Sequence, residues 1–293
     1  MRKTGLPLFF ALAFVLPWLV WFTGIAQHAG IITWHVPDSL AFWLGLTIAT
    51  YAAAALSGGW PAVKDLLLRL VRARVRPLWY VTGLVTTPVI AVTAAAVGAV
   101  IGSPAKVATG DLASLPAVLA LNVWLFLLTE ETAWRGFALP RLQARMNPLP
   151  AALLLGLVWG LWHIPLFLKP DSFQASIPFA GFMVSILATS VITSWIFNHT
   201  RGSVLLAALF HAVTDVSIAF LGVMSSGAVL FWIFAGLQVV VAAGVAAFLR
   251  PEPGRLSELT WPPSGATTDV LQESSPTAVS EDHNAVSGSG QPA

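Results

Sequence analysis

The chain has 293 residues, 57% of them hydrophobic and only 10% charged, against roughly 45–50% apolar and about 25% charged in soluble domains. That balance excludes an ordinary soluble globule and predicts an all-α, polytopic membrane protein. Cysteine is absent and the net charge is only +2, so disulfides, thiolate metal sites and thiol nucleophiles are ruled out and no nucleic-acid partner is expected.

A hydrocarbon core of about 30 Å needs about 20 mostly apolar helical residues. Eight segments meet or approach this length: 7–26, 40–57, 79–101, 114–130, 150–167, 177–197, 203–221 and 228–249. The first follows Arg2 and Lys3. It is longer than the ~7–15 apolar residues of a secretory signal, and no small-x-small cleavage site follows, so an uncleaved anchor is expected. With 13 Trp and two Tyr, aromatic anchoring at the two interfaces falls to Trp. Residues 61–77, between the second and third segments, mix Leu67, Leu68, Leu70 and Val71 with basic groups. They suit a helix lying in the interface against anionic lipid; an ordinary basic loop fits equally.

The fourth segment is short and ends in Glu130 and Glu131. The last segment is followed by residues 251–293, rich in Ser, Pro, Gly and Thr, which lack the apolar surface to fold and are expected to be a disordered cytoplasmic tail. The chain divides accordingly into N-terminal membrane helices (1–113), a core (114–221), a last helix (222–250) and the tail. If the N-terminus is cytoplasmic, the inner segments hold Arg2, Lys3, Lys64, Arg69, Arg72, Arg74, Arg76, Arg135, Arg141, Arg145, Arg201, Arg250 and Arg255, and the outer loops only Lys106 and Lys169. This bias predicts an even number of spans in the cell membrane with both termini inside.

Asp and Glu total 13, and only Glu130, Glu131 and Asp215 have apolar surroundings. Intramembrane carboxylates are costly and point to function. Glu131 and Arg135 are four apart in the favourable orientation for an ion pair on one helix face. Glu130 lies about 100° away and is therefore left free for chemistry. A juxtamembrane charge cluster is the bland alternative. His163 is the one ionisable group of its span, with Trp159 a turn earlier on the same face; taken alone, it reads as a satisfied core histidine. His211 and Asp215, four apart, share a helix face, and a structural pair is the alternative there. Asn198, His199 and Arg201 read as a polar turn.

Carboxylate, His, and His plus Asp on three helices would not be tolerated by hydrocarbon unless they met one another or a water-filled cavity. A buried carboxylate beside a neutral imidazole can activate water as general base. A second His with Asp one turn away can donate to a developing oxyanion. Amide hydrolysis uses both halves. Depth works against the assembly, since Glu130 lies near the inner face, His211 about 12 Å in and His163 about 20 Å in, counting ~1.5 Å per residue. The groups meet if the fourth span continues beyond its apolar part and a cavity opens to the cytoplasm, and both are expected.

At these residues the chain resembles the CPBP family, the CAAX proteases and bacteriocin-processing enzymes also called the ABI family. The family pattern E-E-x-x-x-R, aromatic-x-x-x-H and H-x-x-x-N/D is matched by Glu130–Arg135, Trp159–His163 and His211–Asp215. The run from Asn198 to His211 also resembles the family's lead into its last motif, and the likeness covers roughly residues 114–221. Trp159 replaces the commoner Phe. Asp215 replaces the commoner Asn, so it must be protonated to face an oxyanion, or must act by orienting His211. The resemblance implies an intramembrane endopeptidase acting on a membrane-associated peptide. Glu130 and His163 would activate water, His211 and Asp215 would bind the oxyanion, and Glu131 with Arg135 would hold the site together. No cofactor is required on this reading; a zinc ion on Glu130, His163 and His211 is the alternative, although no H-E-x-x-H is present. Competing functions are a non-catalytic transporter or scaffold, and self-immunity against a bacteriocin.

Overall fold

The computed structural model describes residues 5–108, 112–250 and 259. Arg2, Lys3, Arg255 and the rest of the expected tail lie outside the described residues. Every described element is a helix or a connection between helices. The helices are α1 (Gly5–His28), α2 (Thr47–Leu70, entered through a π-helical turn Ala41–Leu46), α3 (Pro77–Val100), α4 (Leu115–Leu128) and α5 (Leu139–Gln143). They continue with α6 (Pro148–Trp162), α7 (Ile164–Phe167), α8 (Phe179–His199), α9 (Val204–Phe220) and α10 (Ala228–Ala246). Proline sets several starts: Pro77, Pro116, Pro140, Pro148 and Pro165 occupy the first turns of α3 to α7, where the missing N–H costs nothing. Ser203 caps α9 by accepting the Leu206 N–H at 3.2 Å.

All eight apolar segments are helical, and six elements are long and apolar enough to cross a membrane: Gly5–His28, Ala41–Leu70, Pro77–Val100, Leu112–Gln143, Phe179–His199 and Ala228–Ala246. The other two, Pro148–Trp162 and Val204–Phe220, are shorter, about 22 and 26 Å at 1.5 Å per residue. These two short helices carry His163 at the end of one and His211 in the other. α8 packs between α6 and α10, and α9 between α3 and α4.

The structure adds three details to these expectations. Of the expected interfacial helix at 61–77, the residues up to Leu70 are helical and set off from the first part of α2 by a kink at Gly59 (φ 61°), just before Pro61, while 71–76 form the connection to α3. Arg69 turns inward, fully buried, and bonds Asp65 at 2.7 Å. Tryptophan is not simply an interfacial anchor. Trp21, Trp134 and Trp162 are fully buried, while Trp34, Trp60, Trp124 and Trp232 are exposed. The buried Trp162 ring donates its N–H to the Ala13 carbonyl at 2.8 Å, and Trp18 donates to the Trp162 carbonyl at 2.9 Å, so tryptophan fastens α1 to α6. Finally, the expected tail is not wholly detached. Leu259 is 2% exposed and its carbonyl accepts a hydrogen bond from Arg69 Nη2 at 3.2 Å.

Candidate active site

The fourth span does continue beyond its apolar part. α4 ends at Leu128, Thr129 leaves helical geometry (φ −118°, ψ −91°), and a π-helical segment Thr132–Ala138 leads into α5. The path therefore reaches Gln143, and Glu130 sits about 20 Å of helix from that end at ~1.5 Å per residue. π-helical turns often mark functional sites, and this one carries Trp134 and Arg135, both fully buried.

The adjacent glutamates divide as their helical angles predict. Glu131 Oε1 accepts from Arg135 Nη1 at 2.9 Å, with both side chains fully buried. Glu130 faces elsewhere: its Oε2 accepts the indole N–H of Trp159 at 2.7 Å and lies 3.4 Å from that of Trp134. Trp159 stands where the family more often has Phe. Its indole N–H holds the carboxylate, which a Phe at that position would be unable to do. The same ring also takes the Arg135 guanidinium on its face at 4.5 Å, linking the two glutamates' surroundings.

Both histidines are clamped at Nδ1. His163 is the C-cap of α6, and its Nδ1 is 2.8 Å from the Trp159 carbonyl. A carbonyl only accepts, so the proton is on Nδ1, and Nε2 of the neutral ring is an acceptor. His211 Nδ1 is 2.8 Å from Glu131 Oε1, and the ring stacks on Phe126 at 3.8 Å and 4° with Trp159 edge-on at 5.2 Å. Asp215 Oδ1 is 3.9 Å from His211 Nε2, beyond hydrogen-bond reach. The orienting carboxylate of His211 is therefore Glu131, from a different helix. Sequence spacing offered Asp215 because it shows neighbours within one helix only.

Glu130, Trp159, His163, His211, Thr214 and Asp215 line one cavity of about 250 Å³. Much of its wall is apolar, with Phe42, Leu125, Ile177, Phe182 and Ile186 among its members. α8 adds hydroxyls that sequence reasoning missed: Ser185 donates to Gln238 Oε1 at 2.5 Å, and Gln238 Nε2 donates to Thr189 Oγ1 at 3.1 Å. No pattern in the chain links position 238 to those two, so only the packing of α10 on α8 reveals it.

Part of the lining comes from one end of the bundle: Phe173, Gln174 and Ile177 belong to the connection after α7, and Met224 to that after α9. Those connections lie at the end that carries Lys106 and Lys169, opposite the Arg72–Arg201 contacts. The connection after α7 is fastened by Lys169, 6% exposed, whose Nζ lies 2.6 Å from Asp38 and 2.9 Å from Asp171. Burial opposes the Lys169 charge, but the bonds to Asp38 and Asp171 outweigh it and raise its pKa. The same bond to Lys169 holds Asp171 below the usual carboxylate range.

Among the described residues no group of three or more His, Asp or Glu is placed to hold a metal ion.

The chain is thus a helical protein with six membrane-length apolar helices that brings carboxylates and imidazoles to one cavity. Residues 112–217 match the family described as type II CAAX prenyl endopeptidase Rce1-like. A curated relative, CAAX prenyl protease 2 of Methanococcus maripaludis, is 33% identical over 122 residues, which are 40% of this chain and 44% of the relative. The chain thus spans less than half the length of that relative. The matched stretch contains all three motifs, and this part of the chain is similar in sequence to that family.

Proposed function

We propose that the protein is an intramembrane endopeptidase that hydrolyses a peptide bond of a membrane-associated substrate with water activated by Glu130 and His163. The observation that carries this reading is the meeting of Glu130, His163, His211 and Asp215 on one cavity. Glu130, held through Oε2 by Trp159, keeps Oε1 for a water proton. His163 Nε2 accepts from the same water, which turns a lone pair of the water oxygen toward the scissile carbonyl carbon. The proton taken by Glu130 passes to the leaving amine. His211, with Nδ1–H donated to Glu131, offers Nε2–H to the oxyanion when doubly protonated, and a protonated Asp215 offers a second donor. Glu131 and Arg135 hold this arrangement, so Glu131 serves the oxyanion side as well as the ion pair. The relative's name, a CAAX prenyl protease, supports a protease reading and a substrate cleaved near a membrane surface. The charge bias supports both termini being cytoplasmic.

The test is cleavage of a panel of membrane-inserted peptides by reconstituted protein, with Glu130→Gln and His163→Ala alongside wild type. Cleavage by wild type that both substitutions abolish supports the reading; turnover surviving in both refutes it.

A further inference from the structure

A groove separate from the active site runs along the lipid-facing side of α8. Its floor is Ala188 and Val191, and its walls are Leu149 and Leu153 of α6 and Ala243 and Ala246 of α10. It has a volume of about 280 Å³ and an almost wholly apolar lining. Alanines on one wall and on the floor leave the space that larger side chains would fill.

One end of the groove is basic. Leu149 lies two residues after Asn147, and Ala246 four residues before Arg250. There Arg250 Nη2 donates to Asn147 Oδ1 at 2.6 Å, which brings the end of α10 against the start of α6. Arg145, two residues before Asn147 in the chain, is exposed. The described segments that form the groove, 144–150, 184–191 and 239–250, contain no acidic residue. Asn147 is neutral, and neither arginine enters an ion pair with a described carboxylate. An apolar channel that ends near two arginines, neither paired with a described carboxylate, has the chemistry of an anionic phospholipid.

We propose that this groove binds one anionic phospholipid, its phosphate between Arg145 and Arg250 and one acyl chain laid along α8. The site is independent of the cavity that holds Glu130, so the two readings stand or fall separately. Each basic group near a lipid surface contributes about 1 kcal/mol, so the pair should favour phosphatidylglycerol over phosphatidylcholine by roughly thirtyfold, at ~1.4 kcal/mol per tenfold.

The experiment titrates the full chain in mixed micelles with phosphatidylglycerol or phosphatidylcholine and counts retained lipid by native mass spectrometry. Wild type should retain one phosphatidylglycerol, with the preference above. R145Q/R250Q should lose the preference, and Ala243→Trp, which fills the groove from its exposed wall, should lose retention of both lipids. K64Q/R76Q, removing two exposed cations elsewhere at the same end, should behave as wild type. Undiminished retention in Ala243→Trp, or a loss in K64Q/R76Q equal to that in R145Q/R250Q, overturns the proposal. So does a wild-type dimer that Ala243→Trp converts to monomer, since the groove would then hold a second copy.

Discussion

Replacing each of the adjacent glutamates by glutamine should separate chemistry from stability. Glu131 Oε1 accepts from Arg135 at 2.9 Å and from His211 at 2.8 Å, and the Glu131 and Arg135 side chains are fully buried. Among the described residues Arg135 Nε and Nη2 have no hydrogen-bond partner, and Glu131 is the carboxylate within ion-pair distance of Arg135. Removing one member of such a pair costs about 3–5 kcal/mol. In Glu130→Gln the amide oxygen still accepts from Trp159, and only the difference between a charged and a neutral hydrogen bond is lost, about 1 kcal/mol. At about 2–4 °C per kcal/mol for a chain of this size class, Glu131→Gln should melt on the order of 10 °C lower and Glu130→Gln only a few degrees lower. Thermal melts of detergent-purified protein, run beside a cleavage assay, check both. Glu130→Gln should be inactive yet folded, and Glu131→Gln both weakened and impaired. Equal melting temperatures, or an active Glu130→Gln, would refute the division of labour.

Asp215→Asn should retain activity with a flatter alkaline limb if position 215 faces the oxyanion, whereas His211→Ala should abolish it; an equal loss in both would show that the Asp215 carboxylate itself is needed. The Lys169 bridge should give two pH limbs. Asp171, held below its usual range, contributes fully above about pH 4 and loses that contribution as pH falls through its lower folded value. Lys169, raised, contributes fully below about pH 10 and loses it as pH rises through its higher folded value. The melting-temperature difference between wild type and Lys169→Met should thus be flat at neutral pH and shrink at both extremes; a difference independent of pH from 3 to 12 would contradict this. Cutting the chain after Arg250 removes the buried Leu259 side chain, worth roughly 1.5–3 kcal/mol, and should lower the melting temperature; an unchanged melt would show that this contact contributes nothing.

The helical architecture was legible because hydrocarbon demands long apolar runs, and each of the eight segments became a helix. The Glu131–Arg135 pair was legible because the two side chains still meet four residues apart, although Arg135 lies within the π-helical segment. Contacts between helices were not. Glu131 with His211 and Trp159 with Glu130 join residues 80 and 29 positions apart, and local periodicity carries no information at that range. The continuation of the fourth span to Gln143 was expected from the need of its charges to meet the other polar groups, and the buried Glu131–Arg135 pair accompanies it.

The central claim is that Glu130 activates water for peptide-bond cleavage in the membrane. Its most direct test compares the N- and C-termini of the membrane proteome in cells carrying wild-type protein and cells carrying Glu130→Gln at equal abundance. The account predicts a set of new termini, from membrane-associated proteins, present with wild type and missing with Glu130→Gln. Identical termini in the two strains, with both proteins folded, would contradict it.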